Sequence, residues 1–248
     1  MLSRIEDAGL NASAPPQQRW MDGWLLRFSP GKARRARCIN AVATGRLPLQ
    51  QKLELAAQVY DAAVLPMVVR ITRFSQPTDL DGRLADLGYT VADDTRVMVR
   101  ASVGRRPFAE LPPGTRWERL GAEDYAQAVG LLRGSAAEQR RAHGQRLSLS
   151  PVPYQGFAIR RQSDGEVLAC GQFAREAELV GLYDVYTHVE ARRQGFAAML
   201  CGRLLSLAAA EGGQVGYLQV ESDNHAAGRI YERLGFSDAY SYHYRQRP

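Results

Sequence analysis

Along residues 107–248 the apolar positions alternate between two periods. The stretches 115–120 (TRWERL), 156–162, 166–175 and 179–189 carry the every-second-residue pattern or the short apolar run of strands. Between the second and third of them, Ser163-Asp164-Gly165 is a hairpin signal, because Asp-Gly accepts the positive φ of a tight turn. Residues 122–133 and 138–146 read as helices, the second of them basic. Beyond 189 the period lengthens: Phe196, Leu200, Leu204 and Leu207 form one stripe of a helix that Gly212-Gly213 stops. A strand over 216–222 follows. Then comes a short helix with Ala226, Ala227, Ile230, Tyr231 and Leu234 on one side, ended by Gly235, and an alternating tail over 239–247. The order β-α-α-β-β-β-α-β-α-β predicts an α/β domain around one mixed sheet.

Residues 1–106 carry a weaker pattern of the same kind, with strands at 24–28, 37–42 and 67–74 and helices at 49–63 and 80–87. LADLGYTVAD (84–93) resembles YERLGFSDAY (231–240), which suggests a diverged internal duplication. The segment ASVGRRPFAELPPG (101–114) holds three prolines and two glycines without a period and reads as a linker. The boundary is therefore drawn between residues 106 and 107.

Composition adds limits. With 248 residues, 45% hydrophobic and 23% charged, the chain is an ordinary globular one. MLSRIEDAGLNASAPP lacks the apolar run of a secretory signal and no stretch reaches ~18 apolar residues, so a cytoplasmic protein without a membrane partner is expected. Cys38, Cys170 and Cys201 have neither CxxC spacing nor even number, and no metal site is expected. The net charge of +6 lies wholly in residues 1–106, with 16 basic against 10 acidic residues, while 107–248 hold 16 of each. The run Lys32, Arg34, Arg35, Arg37 suits either a phosphate patch or a solvated strand face. A nucleic-acid reader would interleave aromatics there, and none are present, so nucleic acid is not the expected partner.

The strongest chemical signal is the junction of strand 179–189, ARRQGFA and the next helix. Such a junction presents unpaired N–H groups and the positive helix end, a natural cradle for a diphosphate. Gly195 would permit close backbone approach, Ala197 keeps the first turn small, and Arg192 and Arg193 oppose the helix dipole unless an anion meets them.

These residues resemble the GNAT superfamily of N-acetyltransferases. Arg192-Arg193-Gln194-Gly195-Phe196-Ala197 fits the family's Q/R-x-x-G-x-G/A loop, and Asn224, Tyr231 and Leu234-Gly235-Phe236 fit its N-x₆-Y-x-x-L-G-F segment. The resemblance covers 107–248. It implies a mixed, mostly antiparallel sheet flanked by helices, a smaller related α/β unit over 1–106, and acetyl-CoA as donor to a primary amine of a small molecule or protein. It further implies that backbone groups of Val185, Tyr186 and Thr187 hold the pantetheine arm, residues 192–197 the diphosphate, and that Asn224 contacts the cofactor. Tyr231 would be the general acid for the leaving thiolate, with a core aromatic as the plainer alternative.

Asp184, an acid inside an otherwise apolar and aromatic strand, is either the base for the incoming amine or the partner of an arginine. His188 and Glu221 are reserves. Arg133, Arg140, Arg141, His143 and Arg146 would suit an anionic group on the amine, or form a solvated helix face. In the N-terminal half the connection AVATGRLPLQQ lacks the diphosphate loop, so that unit reads as degenerate and non-catalytic. A catalytically silent acyl-CoA sensor stays open as a second class, and so does the oligomeric state, a homodimer included.

Overall fold

The computed structural model describes residues 1–29, 33–104 and 110–247, so Lys32 and the boundary at 106/107 lie outside the described residues. Its elements in chain order are α1 (Leu2–Ala12), β1 (Gln18–Met21), β2 (Trp24–Arg27), β3 (Ile39–Ala41), α2 (Leu49–Ala62), β4 (Val68–Thr72), α3 (Leu80–Asp86) and β5 (Thr90–Arg100). There follow β6 (Thr115–Leu120), α4 (Ala122–Leu132), α5 (Ala137–Ser148), β7 (Tyr154–Arg161), β8 (Val167–Glu176), β9 (Leu179–Thr187), α6 (Phe196–Ala210), β10 (Val215–Glu221), α7 (His225–Arg233) and β11 (Ser237–Gln246). From β6 onward this is the predicted order.

Two compact units form, each discontinuous in sequence: Met1–Ala12 with Val97–Ala239, and Ser13–Arg96 with Tyr240–Pro248. The sequence reading drew a single linear boundary instead. In the larger unit the strand order is β5-β10-β9-β8-β7-β6. β6 to β9 form an antiparallel meander, and β10 lies parallel to β9. Parallel neighbours need a crossover, and α6 supplies it. Its buried Phe196, Leu200, Leu204 and Leu205 pack with Phe157, Phe173, Val180 and Leu218 of the sheet in one core. On the other helices' side, Tyr125, Ala126 and Val129 of α4 pack with Ala158 and Cys170.

The smaller unit repeats this wiring with the strand order β1-β2-β3-β4-β11. β1, β2 and β3 run antiparallel, β4 lies parallel to β3 across α2, and β11 lies antiparallel to β4. Trp24, Leu26, Ile39 and Val69 point to the helices and form its core with Leu53, Tyr60, Leu80 and Leu84. The two similar segments 84–93 and 231–240 lead into β5 and β11. Tyr242–Gln246 of β11 close the sheet of the smaller unit, whereas Val97–Arg100 of β5 belong to the larger one.

The basic run is not a surface patch as a whole. Arg34 pairs with Asp93 at 2.8 Å, and Arg34, Arg35 and Arg37 are half-buried.

Candidate active site

β9 and β10 pair only from Leu179–Val215 to Leu182–Leu218, although the strands run on to Thr187 and Glu221. Just past the last pair β9 bulges. Gln172 of β8 faces Tyr183 and Cys170 faces Tyr186, so Asp184 and Val185 together stand against Gly171. Glycine at 171 leaves room for α6, because a Cβ there would meet Leu200 Cδ2 at 2.9 Å and force the packing to shift. Asp184 takes a left-handed φ of 50°, which costs a non-glycine residue roughly 1 kcal/mol and persists only where neighbours hold it.

The bulge decides which backbone groups face the split. His188 N donates to Leu168 O at 2.9 Å, and alternation along the strand turns Tyr186 the same way. Val185 and Thr187 therefore aim their N–H groups away from β8, toward the side where β10 has ceased to pair. Tyr186, expected alongside them as a backbone contact, instead pairs with Cys170 and offers its ring, with the Arg133 and Arg192 guanidinium centres 5.7 and 5.8 Å from its centroid.

Between β9 and α6, Arg193 and Gly195 both take left-handed φ values, 63° and 85°. A Cβ built on Gly195 meets nothing within 4 Å, so glycine serves the backbone twist there rather than close packing. No side chain caps α6, and Met199 N is the first to return a bond, to Gly195 O at 3.1 Å. The N–H groups of Phe196, Ala197 and Ala198 lie ahead of it and lack intrahelical acceptors. Phe196's ring is core, while Arg192, Arg193 and Gln194 are exposed. Arg192 Nη2 lies 3.4 Å from Tyr186 Oη, and Gln194 Nε2 donates to Glu190 O at 3.1 Å, which fixes the loop at both ends. His188 is a strand-end contact, its Nδ1 accepting from Glu190 N at 3.3 Å.

Asn224 caps α7: its Oδ1 accepts from Ala227 N at 3.1 Å, leaving the amide nitrogen as the group available to a ligand. Tyr231, one face of α7 further on, sets its ring edge-on to Phe236 at 6.2 Å and packs against the α6 core. Burial, with the Cys201 thiol nearby, pushes the Tyr231 phenol well up, so the hydroxyl stays protonated. Glu221 is exposed at the end of β10.

Asp184 is gripped from three elements. Its Oδ1 accepts from Arg133 Nη1 at 3.0 Å, its Oδ2 from Gln172 Nε2 at 2.8 Å, and His143 Nε2 stands 3.3 Å from Oδ2. Burial alone would raise the pKa of this carboxyl, but His143, Arg133 and Arg146 outweigh it and hold it well below the usual range. A carboxylate held that firmly ionised is a poor proton acceptor. Of the five basic residues between 133 and 146, Arg133 and His143 thus serve Asp184, Arg140 ties Gln127 to the Ser135 carbonyl, and Arg146 reaches Ala12 O at 3.4 Å. Arg141 alone of the five is exposed. Sequence reasoning missed Tyr125 and Gln172. Gln172, 1% exposed inside an apolar strand, carried the same signal as Asp184, whereas Tyr125 looks in sequence like any core aromatic.

Among the described residues no group of His, Cys, Asp or Glu is placed to hold a metal, and no helix is long and apolar enough to cross a membrane.

Residues 138–236 match the acetyltransferase (GNAT) family. Over 231 residues the chain is 26% identical to the uncharacterized N-acetyltransferase YobR of Bacillus subtilis (strain 168), covering 92% of this chain and 91% of the relative. Its fold is similar to that of a GCN5-related N-acetyltransferase from Kribbella flavida, with a TM-score of 0.70 at 18% identity over 99% and 95% of the two chains. It is also similar to a tandem GNAT protein from the clavulanic acid biosynthesis pathway, with a TM-score of 0.63 at 14% identity over 81% and 71%. The split strands, the looped helix start and the capped second helix all lie inside the stretch that matches the acetyltransferase (GNAT) family, and the fold of the whole chain is similar to that of GCN5-related N-acetyltransferases.

Proposed function

We propose that this chain is an acetyl-CoA-dependent N-acetyltransferase acting on a primary amine, with the larger unit catalytic and the smaller one a degenerate repeat. The observation that carries the reading is the halt of β9–β10 pairing beside a helix start whose N–H groups lack acceptors. The residues present fit such a ligand: Val185 and Thr187 offer N–H groups along the split, and the loop from Arg192 to Ala197 adds backbone donors, two guanidinium groups and open space over Gly195. When bound, acetyl-CoA supplies a thioester as the activated acyl group. Val185 N–H would hold the acyl oxygen where charge builds, and Tyr231 Oη would hold the proton for the departing sulfur. Asp184 is assigned an anchoring role, so the amine would lose its proton to water or to another group. Free thiol released on incubation with acetyl-CoA and a panel of amines tests the reading, and mass spectrometry of the product names the acceptor. The ionised, fully engaged Asp184 favours one rival, a non-catalytic acyl-CoA sensor; binding without thiol release for any amine would establish that rival.

Gly195→Asp is expected to weaken CoA binding ~10-fold or more, because aspartate tolerates a left-handed φ but sets a negative charge within ~4 Å of a diphosphate. Calorimetry reads this, and unchanged affinity in a folded variant would remove the diphosphate from this loop.

One CoA per chain is the expected stoichiometry. In the smaller unit the connection before α2 is filled by the chain's own carboxylate: Asp22 accepts from Arg46 N at 2.8 Å and Leu47 N at 2.9 Å. The buried Lys52 backs it, with Nζ donating to the Asp22 and Thr44 carbonyls at 2.8 Å each. An internal anion already sits where the other unit offers open donors. Titration to two sites per chain would contradict this.

A further inference from the structure

We propose that Tyr125 is a positioning residue whose hydroxyl fixes the direction of the Val185 N–H, the group that meets the acyl oxygen. The inference rests on the acetyl-CoA reading above. Tyr125 lies on α4, fully buried, and its Oη donates to the carbonyl oxygen of Asp184 at 2.8 Å. That carbonyl and the Val185 N–H belong to one planar trans peptide, so they point in opposite directions. Holding the oxygen on the α4 side turns the N–H to the far side of β9, the side on which β10 no longer pairs. Asp184 is the strained member of the bulge, with φ at 50°, and a peptide in that state can rotate unless it is gripped from more than one direction. Arg133, Gln172 and His143 grip the carboxylate, whereas Tyr125 grips the peptide plane itself. Gly156 makes room for the ring, since a Cβ there would meet Tyr125 Cδ2 at 2.6 Å. Burial, with smaller contributions from Cys170 and Asp184, holds the phenol well above its ordinary pKa, so it remains a donor at every working pH.

The test needs no acceptor. The infrared carbonyl stretch of acetyl-CoA labelled with ¹³C at the acyl carbon is recorded free and bound to the full-length parent, to Tyr125→Phe and to Gly156→Ala. Tyr125→Phe removes the hydroxyl, and Gly156→Ala keeps it but pushes the ring. In the parent the bound stretch should move to lower wavenumber, as an N–H bond to the oxygen requires. Both variants, checked for parental circular dichroism, should lose at least half of that move while binding CoA about as tightly as the parent. A variant that binds acetyl-CoA and retains the full move overturns the positioning role, because a merely structural tyrosine would leave the carbonyl untouched. Should one variant not fold, the other decides. A parent that binds acetyl-CoA without any move overturns the role of Val185 and this inference with it. A parent that binds no acetyl-CoA overturns the functional reading itself, so the two failures are distinguishable.

Discussion

Tyr231→Phe should turn over ~10²–10⁴-fold more slowly than the parent while its melting temperature and CoA affinity stay close to parental. The ring that packs on the α6 core and against Phe236 is kept, and only the hydroxyl is lost. Its raised pKa means the group cannot serve as a base, but it can donate as sulfur charge develops. The loss should therefore appear in kcat, provided thiolate departure limits the rate, and persist from about pH 6 to about 10, below the parental phenol's titration. Parental turnover across that range would assign the proton to water or another residue. Loss of both stability and CoA binding would mark Tyr231 as a core aromatic.

The second large effect belongs to Asp184. Asp184→Ala leaves the Arg133 guanidinium without its carboxylate, which for a buried pair costs about 3–5 kcal/mol. The Asp184 and Arg133 side chains keep 22% and 32% of their exposure, so the lower end, about 3 kcal/mol, is expected from denaturant unfolding at pH 7. The pH dependence has a definite sign. A carboxyl whose folded pKa is depressed contributes stability that is complete above its unfolded value, about 4, and fades as pH falls through the folded value. The stability difference between the parent and Asp184→Asn should accordingly shrink below about pH 4. A difference that stays constant from pH 7 to about 3 would refute the ion-pair assignment.

The loop proposed for the diphosphate stands out in the sequence because its features belong to the backbone: glycine at a left-handed position and a fixed distance from strand to helix are written in local order. The environment of Asp184 does not. Its partners come from 12 residues away in Gln172 and from 51 and 59 away in Arg133 and Tyr125, and only the sheet and the α4 packing bring them together. That is why an acid in an apolar strand leaves both a base and a salt-bridge partner open. Elements were missed where local pattern was diluted. α1 buries Ile5, Ala8, Gly9 and Ala12 at helical spacing, but three of the four are small, so the stripe is faint. β1 exposes three of its four residues at the sheet edge and shows no alternation, although Asp22-Gly23 after it was a usable hairpin signal.

The crossing of segments between the units governs how the chain can fold as it is synthesised. Residues 13–96 emerge early, yet the edge of β4 has no antiparallel neighbour until residues 242–246 exist. Until then Tyr242 and Tyr244 cannot bury, and Asp81 lacks the His243 and Arg245 contacts at 2.9 and 2.7 Å that tie β11 to α3. The early unit thus waits with an open strand edge, the feature most prone to pairing with a foreign chain. Helix α1 waits likewise, since Asn11 and Arg4 find Glu176 and Glu178 only when the later unit is made. The larger unit has all its residues once Ala239 is made, whereas the smaller one, although most of it is synthesised earlier, completes its sheet last.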